Sequence, residues 1–397
     1  LARLINYNSH RNKPATGLLK ITGISTTQDV KDSTGTGLAN ATILWNDPAN
    51  INYREQFITI FNAANVSGQL FGKPKESGDI GGIATEVYTF NSSQVDLPIF
   101  SFSSSIGGTG RNFEIVPATI SESETIYEQS PIPGTGFSYV YRSDGAGDSS
   151  NNTGFFTLFK QGNLQTKTFT INKSTTNFVY PVGVNNINDT DVWLWKLDDF
   201  GQLFEEWIKV PSLEGNNAIY NSLAKNERNI YNVVTQNNDA VNLVFGDGNF
   251  SNLPIGSFRA YYRVSDNAKY SIQPTDITGI TINIPYFDVN SGAQTLTLTM
   301  SLQASVYTAA ATESNASIRE KAPQVYYSQN RMITAEDYQV VPLSASQEII
   351  KVKSTNRAAS GISRAKEIID PTGAYSNVSV FADDGILYRE ENTNTFT

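Results

Sequence analysis

Gln294-Thr295-Leu296-Thr297-Leu298-Thr299-Met300-Ser301-Leu302 puts an apolar side chain at every second position. A period of two marks a strand with one buried and one polar face. Leu296, Leu298, Met300 and Leu302 are therefore expected on a single face. Working outward, residues 137–141, 155–159 and 166–171 are short aromatic or β-branched runs bounded by Gly, Asn and Ser, which also predicts strands. Residues 192–197 and 203–210 flank Asp198-Asp199-Phe200-Gly201 and predict a hairpin. Residues 241–245 and 258–264 flank Gly246-Asp247-Gly248, and Asp-Gly is a strong two-residue turn signal. Residues 143–154 form a polar loop.

Helical spacing is confined to the flanks. Residues 18–24 read as a strand, and Asn46-Asp47-Pro48 as a turn leading into a helix over 51–65 that carries Ile51, Phe57, Ile58, Phe61 and Ala64. Residues 78–82 read as a loop, and 217–235 are ambiguous because Ile219, Leu223 and Ile230 fit a helix face. Further on, Thr312 or Ser314 can cap a helix with Glu313 in its first turn. Pro323 is expected to end or kink that helix. Thr334 caps a second helix, with Asp337 completing a capping box and Ile333 stapling against Tyr338. Pro342 should limit it to two turns, and 349–353 and 378–381 read as strands.

The expected fold class is therefore α+β, mostly β, and multi-domain. A β-rich middle is joined to short capped helices in the C-terminal part. The expected boundaries are an N-terminal α/β region at 1–95, a β-rich region of one or two domains at 96–310, and an α+β region at 311–397 that reads as incomplete.

The 397 residues suffice for two or three domains, and 39% hydrophobic against 17% charged residues is a globular composition. Net charge is −9 and no Lys/Arg stripe stands out, which argues against nucleic-acid binding. With no cysteine, disulfides and thiolate metal sites are excluded. The chain opens at Leu1 without a signal-like segment, so it is expected to be an internal piece or a processed product. Its longest apolar runs, such as Val192-Trp193-Leu194-Trp195, are too short to span a bilayer.

Chemical candidates are sparse. His10 is the single histidine and lies beside Arg11 in a polar stretch, which reads as a solvated surface position. Asp199-Phe200-Gly201 matches a kinase tripeptide without its accompanying signatures, so a hairpin turn is the reading. Gly107-Gly108-Thr109-Gly110-Arg111 lacks the P-loop spacing and reads as a flexible loop ahead of a strand at 113–116. Asp144-Gly145-Ala146-Gly147-Asp148 is the best calcium candidate but lacks the spaced ligands of an EF-hand. Glu205-Glu206 beside Trp207 is the most suggestive carboxylate pair. On a strand, however, the two point to opposite faces. The Asn-x-Ser/Thr sequons are as frequent as this composition produces by chance. No cofactor or metal is expected.

From Val244-Phe245-Gly246-Asp247-Gly248 through Leu253-Pro254-Ile255-Gly256 and Tyr261-Tyr262-Arg263, the chain resembles the baseplate J-like family of contractile phage tails. The agreement continues at Glu313-Ser314, Ile318-Arg319, Ala322-Pro323, Gln329-Asn330-Arg331 and Thr334-Ala335-Glu336-Asp337-Tyr338. The stretch from Tyr7 to Ala15 and Trp45-Asn46-Asp47-Pro48 are similar to the large baseplate wedge subunits (gene product six) of T4-type phages. The resemblance covers about 244–341, more weakly 1–75, and leaves 96–190 unmatched.

This resemblance implies a structural, non-catalytic role in a virion tail baseplate assembled in the host cytoplasm. Two copies associate, join other wedge subunits and link neighbouring wedges into a ring around the hub, near the sheath. The ring rearranges to release contraction. Nucleic acid and membrane insertion play no part. The candidate motif or interface residues are Arg319, Pro323, Tyr326, Tyr327, Gln329, Asn330, Arg331, Thr334, Asp337 and Tyr338. Arg319 and Arg331 suit bidentate pairing with carboxylates, and the tyrosines combine apolar area with a hydroxyl. Internal stabilisation is the competing role for all of them. Two other functions stay open. One is a receptor- or glycan-binding tail module with a groove built from Trp193, Trp195 and Trp207. The other is a tail-associated glycosidase.

Overall fold

The computed structural model describes residues 7, 9–65, 70–90, 100–120, 125–133, 137–213, 228–328, 331–345, 349 and 351–354. The protein is α+β and mostly β. It divides into two compact units, one of Arg11–Thr312 and one combining Leu1–His10 with Glu313–Thr397.

The larger unit opens with β1 (Thr16–Thr26), β2 (Ile43–Leu44) and α1 (Tyr53–Ala64), then β3 (Glu76–Ile80), β4 (Ile83–Phe90), β5 (Phe100–Ile106) and β6 (Thr109–Val116). A short pair follows, β7 (Ala118–Ile120) and β8 (Ile126–Glu128), then β9 (Phe137–Ser143) and β10 (Gly154–Gln161). Next come β11 (Asn163–Ile171), β12 (Val179–Pro181), β13 (Ile187–Leu197), β14 (Leu203–Lys209), β15 (Ile230–Thr235), β16 (Val241–Phe245) and β17 (Gly256–Val264). Finally β18 (Ile280–Phe287) and β19 (Ala293–Leu302) return to the first sheet.

That first sheet is ten-stranded. Its main path is β18-β19-β1-β10-β9-β4-β3, with β2 on β1, β6 on β10 and β5 on β6. Strands β1 to β4 therefore share one sheet with β5, β6, β9 and β10. The second sheet is seven-stranded in the order β11-β17-β13-β14-β15-β16-β12, and β7 and β8 form a pair of their own.

The alternating run became β19. Its Leu296, Leu298 and Met300 are fully buried and face the core that α1 covers. Helix α1 buries Phe57, Ile60, Phe61 and Ala64, which fall at i, i+3, i+4 and i+7. Strand β10 is buried along its whole length. Phe155 and Phe159 join the α1 core, while Phe156 and Leu158 join a smaller cluster with Val87, Val116 and Val140 on the opposite face. A separate core under the second sheet gathers Trp207, Phe245, Phe258, Tyr231 and Leu194. The one-residue link between β10 and β11 is Gly162, at φ +112°, and a Cβ there would lie 2.3 Å from the Val264 carbonyl oxygen. Only glycine fits where the chain passes from one sheet to the next.

Several expectations are corrected. Residues 78–80 lie in β3, and the turn narrows to Gly81-Gly82 before β4. Gly107-Gly108 is a tight turn with both φ positive, joining β5 to β6, rather than a loose loop. The ambiguous 217–235 stretch ends as strand β15; residues 217–227 lie outside the described residues. β16 and β17 do not pair across the Asp-Gly turn. β16 bonds to β15 and β12, and β17 to β11 and β13. Asp247 instead folds a local turn by accepting the Asn249 and Phe250 amide N–H groups.

In the smaller unit, α2 (Asn315–Ser328) runs through Pro323, and α3 (Asp337–Ala345) runs through Pro342. Neither proline ends its helix. Pro323 is exposed, so the carbonyl freed one turn back can be met by water. Residues 349 and 351–353 have no regular structure, and 378–381 lie outside the described residues. Among the described residues of this unit, Tyr7, Ala322 and Val325 are buried, with Ile318 and Val340 packed against them.

Candidate functional site

The candidate residues between Arg319 and Tyr338 fall in the smaller unit. Ser314 caps α2: its Oγ accepts the Ser317 amide and its carbonyl accepts Ile318. Glu313 lies just before the helix rather than in its first turn. Its carboxylate accepts the Tyr7 hydroxyl at 2.8 Å, the Ser317 hydroxyl at 2.6 Å and the His10 amide at 3.3 Å, with Lys321 Nζ at 3.6 Å. Burial works against this charge, but the donors outweigh it and hold the carboxyl below its usual range. Burial and the bond to Glu313 push the Tyr7 phenol up. Glu313 thus anchors the 7–10 segment to the start of α2. His10 is half-buried in this anchor rather than solvated.

The predicted capping box is present. Thr334 Oγ1 accepts the Asp337 amide at 3.2 Å, and Asp337 accepts the amides of Thr334 at 2.8 Å and Ile333 at 3.1 Å. Those donors lower the Asp337 pKa. Thr334→Ala should cost about 1 kcal/mol of local stability. Hydrogen exchange of the α3 amides should then accelerate about fivefold; unchanged protection would mean that the cap does not hold the helix. Tyr326, Tyr327, Ile333 and Tyr338 are exposed, as are Arg319 and Arg331. Among the described residues neither arginine forms an ion pair. Gln329 and Asn330 lie outside the described residues.

The larger unit holds a cleft over a buried ion cluster, and the cluster was not legible in the residues alone. A cleft of about 790 Å³ opens where β8 and the residues after it meet β13 and β14. At its floor Lys160 Nζ contacts Asp191 at 2.8 Å and Glu128 at 3.1 Å. Arg263, with no exposed surface, bonds Glu128 at 2.6 Å, also bonds Glu114, and lies 3.6 Å from Asp191. These residues come from β6, β8, β10, β13 and β17, so the cluster stitches the ten-stranded sheet and the β7–β8 pair to the seven-stranded one. Three carboxylates against two cations leave one excess negative charge. Burial raises the Glu128 pKa against the pull of Arg263 and Lys160. Burial also opposes the charge on Asp191, but Lys160 and Arg263 outweigh it and lower its pKa. Both acids are nearly sealed, at 1% and 4% side-chain exposure.

Other candidates resolve locally. Asp144 spends its carboxylate on the Ser150 hydroxyl, the Ala146 amide and the Thr153 hydroxyl, which hold its pKa down at about 2. Asp198 Oδ1 accepts the Phe200 and Gln202 amides in the β13–β14 turn. Glu205 is half-buried and Glu206 exposed on successive positions of β14. Among the described residues no group of three or more His, Cys, Asp or Glu could hold a metal ion, and no helix is long and apolar enough to cross a membrane.

Fold and cleft together define a mostly β, α+β protein with two sheets welded by a buried ion cluster. The chain belongs to the family described as a domain of unknown function, DUF8360, whose model matches residues 17–305. That match falls within the larger unit. No curated protein and no solved structure matches the chain.

Proposed function

We propose that the chain is a structural component of a phage tail baseplate wedge. It self-associates and links neighbouring wedges into a ring around the hub, relaying the rearrangement that triggers sheath contraction. It performs no catalysis in this role, and its place is the virion tail. The ordered motif resemblance over 244–341 supports the reading, and one structural observation carries it. Helix α2 and the link before α3 leave large apolar side chains in solvent, among them Tyr327 at 83% and Ile333 at 74% exposure, beside a core that among the described residues holds Tyr7, Ala322 and Val325. Exposed apolar area of this kind marks a surface built to be covered.

The occupant proposed first is a second copy of the chain. Light scattering at micromolar concentration should give a dimer. Tyr327→Ala combined with Ile333→Ser should weaken it about tenfold or more. A monomer throughout, with no paired copies in a reconstructed tail, would overturn the reading.

A further inference from the structure

We propose that the cleft of the larger unit binds a neutral oligosaccharide. The inference does not rest on the wedge reading. Val192 and Leu194 are buried in the core of the seven-stranded sheet, so alternation turns Trp193 and Trp195 to the opposite face, toward the segment after β8. Trp195 is fixed there by its Nε1–H, which donates to Ser130 Oγ at 3.3 Å. Trp193 lines the cleft and is half-buried, leaving part of its ring available. Glu206 stands directly opposite Trp195 across the β13–β14 pair, on the same face, and is exposed at the cleft wall.

The volume suits several sugar rings, since ligand clefts commonly span about 300–1,000 Å³. The charge pattern selects the ligand class. The lysines and acids lining the cleft nearly balance. Most are already committed to this chain: Lys160 to Asp191 and Glu128, Lys209 to the carbonyls of Asp189 and Thr190, and Glu76 to Thr119. An anionic or cationic ligand would find little uncompensated charge. A purely apolar ligand would strand the ionic floor. A sugar presents an apolar ring face to Trp193 and hydroxyls to Glu206, and a carboxylate accepts two neighbouring hydroxyls well.

Titration of the full chain with maltohexaose, cellohexaose, N-acetylchitohexaose and a hexauronate, read by tryptophan fluorescence, tests this. A saturable change is expected with at least one neutral hexaose at concentrations up to about 10 mM. Trp193→Ala and Glu206→Gln should each weaken it about tenfold. Both positions lie outside the buried cores, so unfolding midpoints should stay near that of the unaltered chain. Absence of a saturable response to every neutral hexaose, a response confined to the hexauronate, or full affinity retained in Trp193→Ala would overturn the proposal. Oligomeric state is measured separately, so failure of this site leaves the wedge reading untouched, and the reverse also holds.

Discussion

Arg263→Ala is expected to destabilise the larger unit by about 3–5 kcal/mol, the cost of leaving a buried charge unpaired. Arg263 has no exposed surface and contacts Glu114, Glu128 and Asp191. Without it three buried carboxylates would face Lys160 alone. Glu114 would keep its bond from the Leu164 amide at 3.0 Å, but Glu128 would keep only Lys160. The relief should come through Glu128, whose charged form burial already opposes. Glu128→Gln in the Arg263→Ala background should therefore recover part of the loss. Urea midpoints of the single and double variants give both figures. A loss under about 1 kcal/mol would show that the cluster does not tie the sheets together.

Phe155→Ala should cost a similar amount, about 3–5 kcal/mol, for a different reason. Phe155 is fully buried on β10, and six aromatic rings surround it. Phe61 lies at 5.0 Å, Tyr141 at 5.1 Å, Trp45 at 5.7 Å, Phe71 at 5.8 Å, Phe57 at 5.9 Å and Tyr139 at 6.0 Å between centroids. They come from α1, β9 and the segments around them, so the neighbours cannot collapse into the space without moving several elements. Phe155→Leu keeps most of the volume and should cost under about 1.5 kcal/mol. Equal losses for the two variants in chemical denaturation would refute the packing account.

What could be read in the residues was local. The alternation of 294–302, the helical spacing of Phe57, Phe61 and Ala64, and the Thr334/Asp337 box each involve neighbours within a turn or a strand, and each formed. Strand pairing is set by partners far away. The Asp247-Gly248 turn is real, yet its flanking strands found other neighbours. Pro323 does not end α2, which presents it to solvent, and α3 stays short at nine residues around Pro342. The ion cluster was least legible. Arg263 and Glu114 are 149 positions apart, and a charge inside a strand ordinarily reads as solvent-facing. The one available signal was Arg263 closing an aromatic run, Tyr261-Tyr262, on a strand otherwise headed for the core. The cleft was half visible, because Trp193, Trp195 and Trp207 were singled out, but Trp207 turns inward to the second core.

The ten-stranded sheet closes late. Its β1 zips against β19, and the Thr295 amide reaches Thr27 Oγ1 across 268 positions. The entire seven-stranded sheet is translated between those partners. At ribosomal rates of roughly 5–20 residues per second, β1 waits on the order of tens of seconds with a naked hydrogen-bonding flank. Slow growth at low temperature, or a chaperone that shields nascent strands, should therefore govern the yield of intact molecules more strongly than final thermodynamic robustness does.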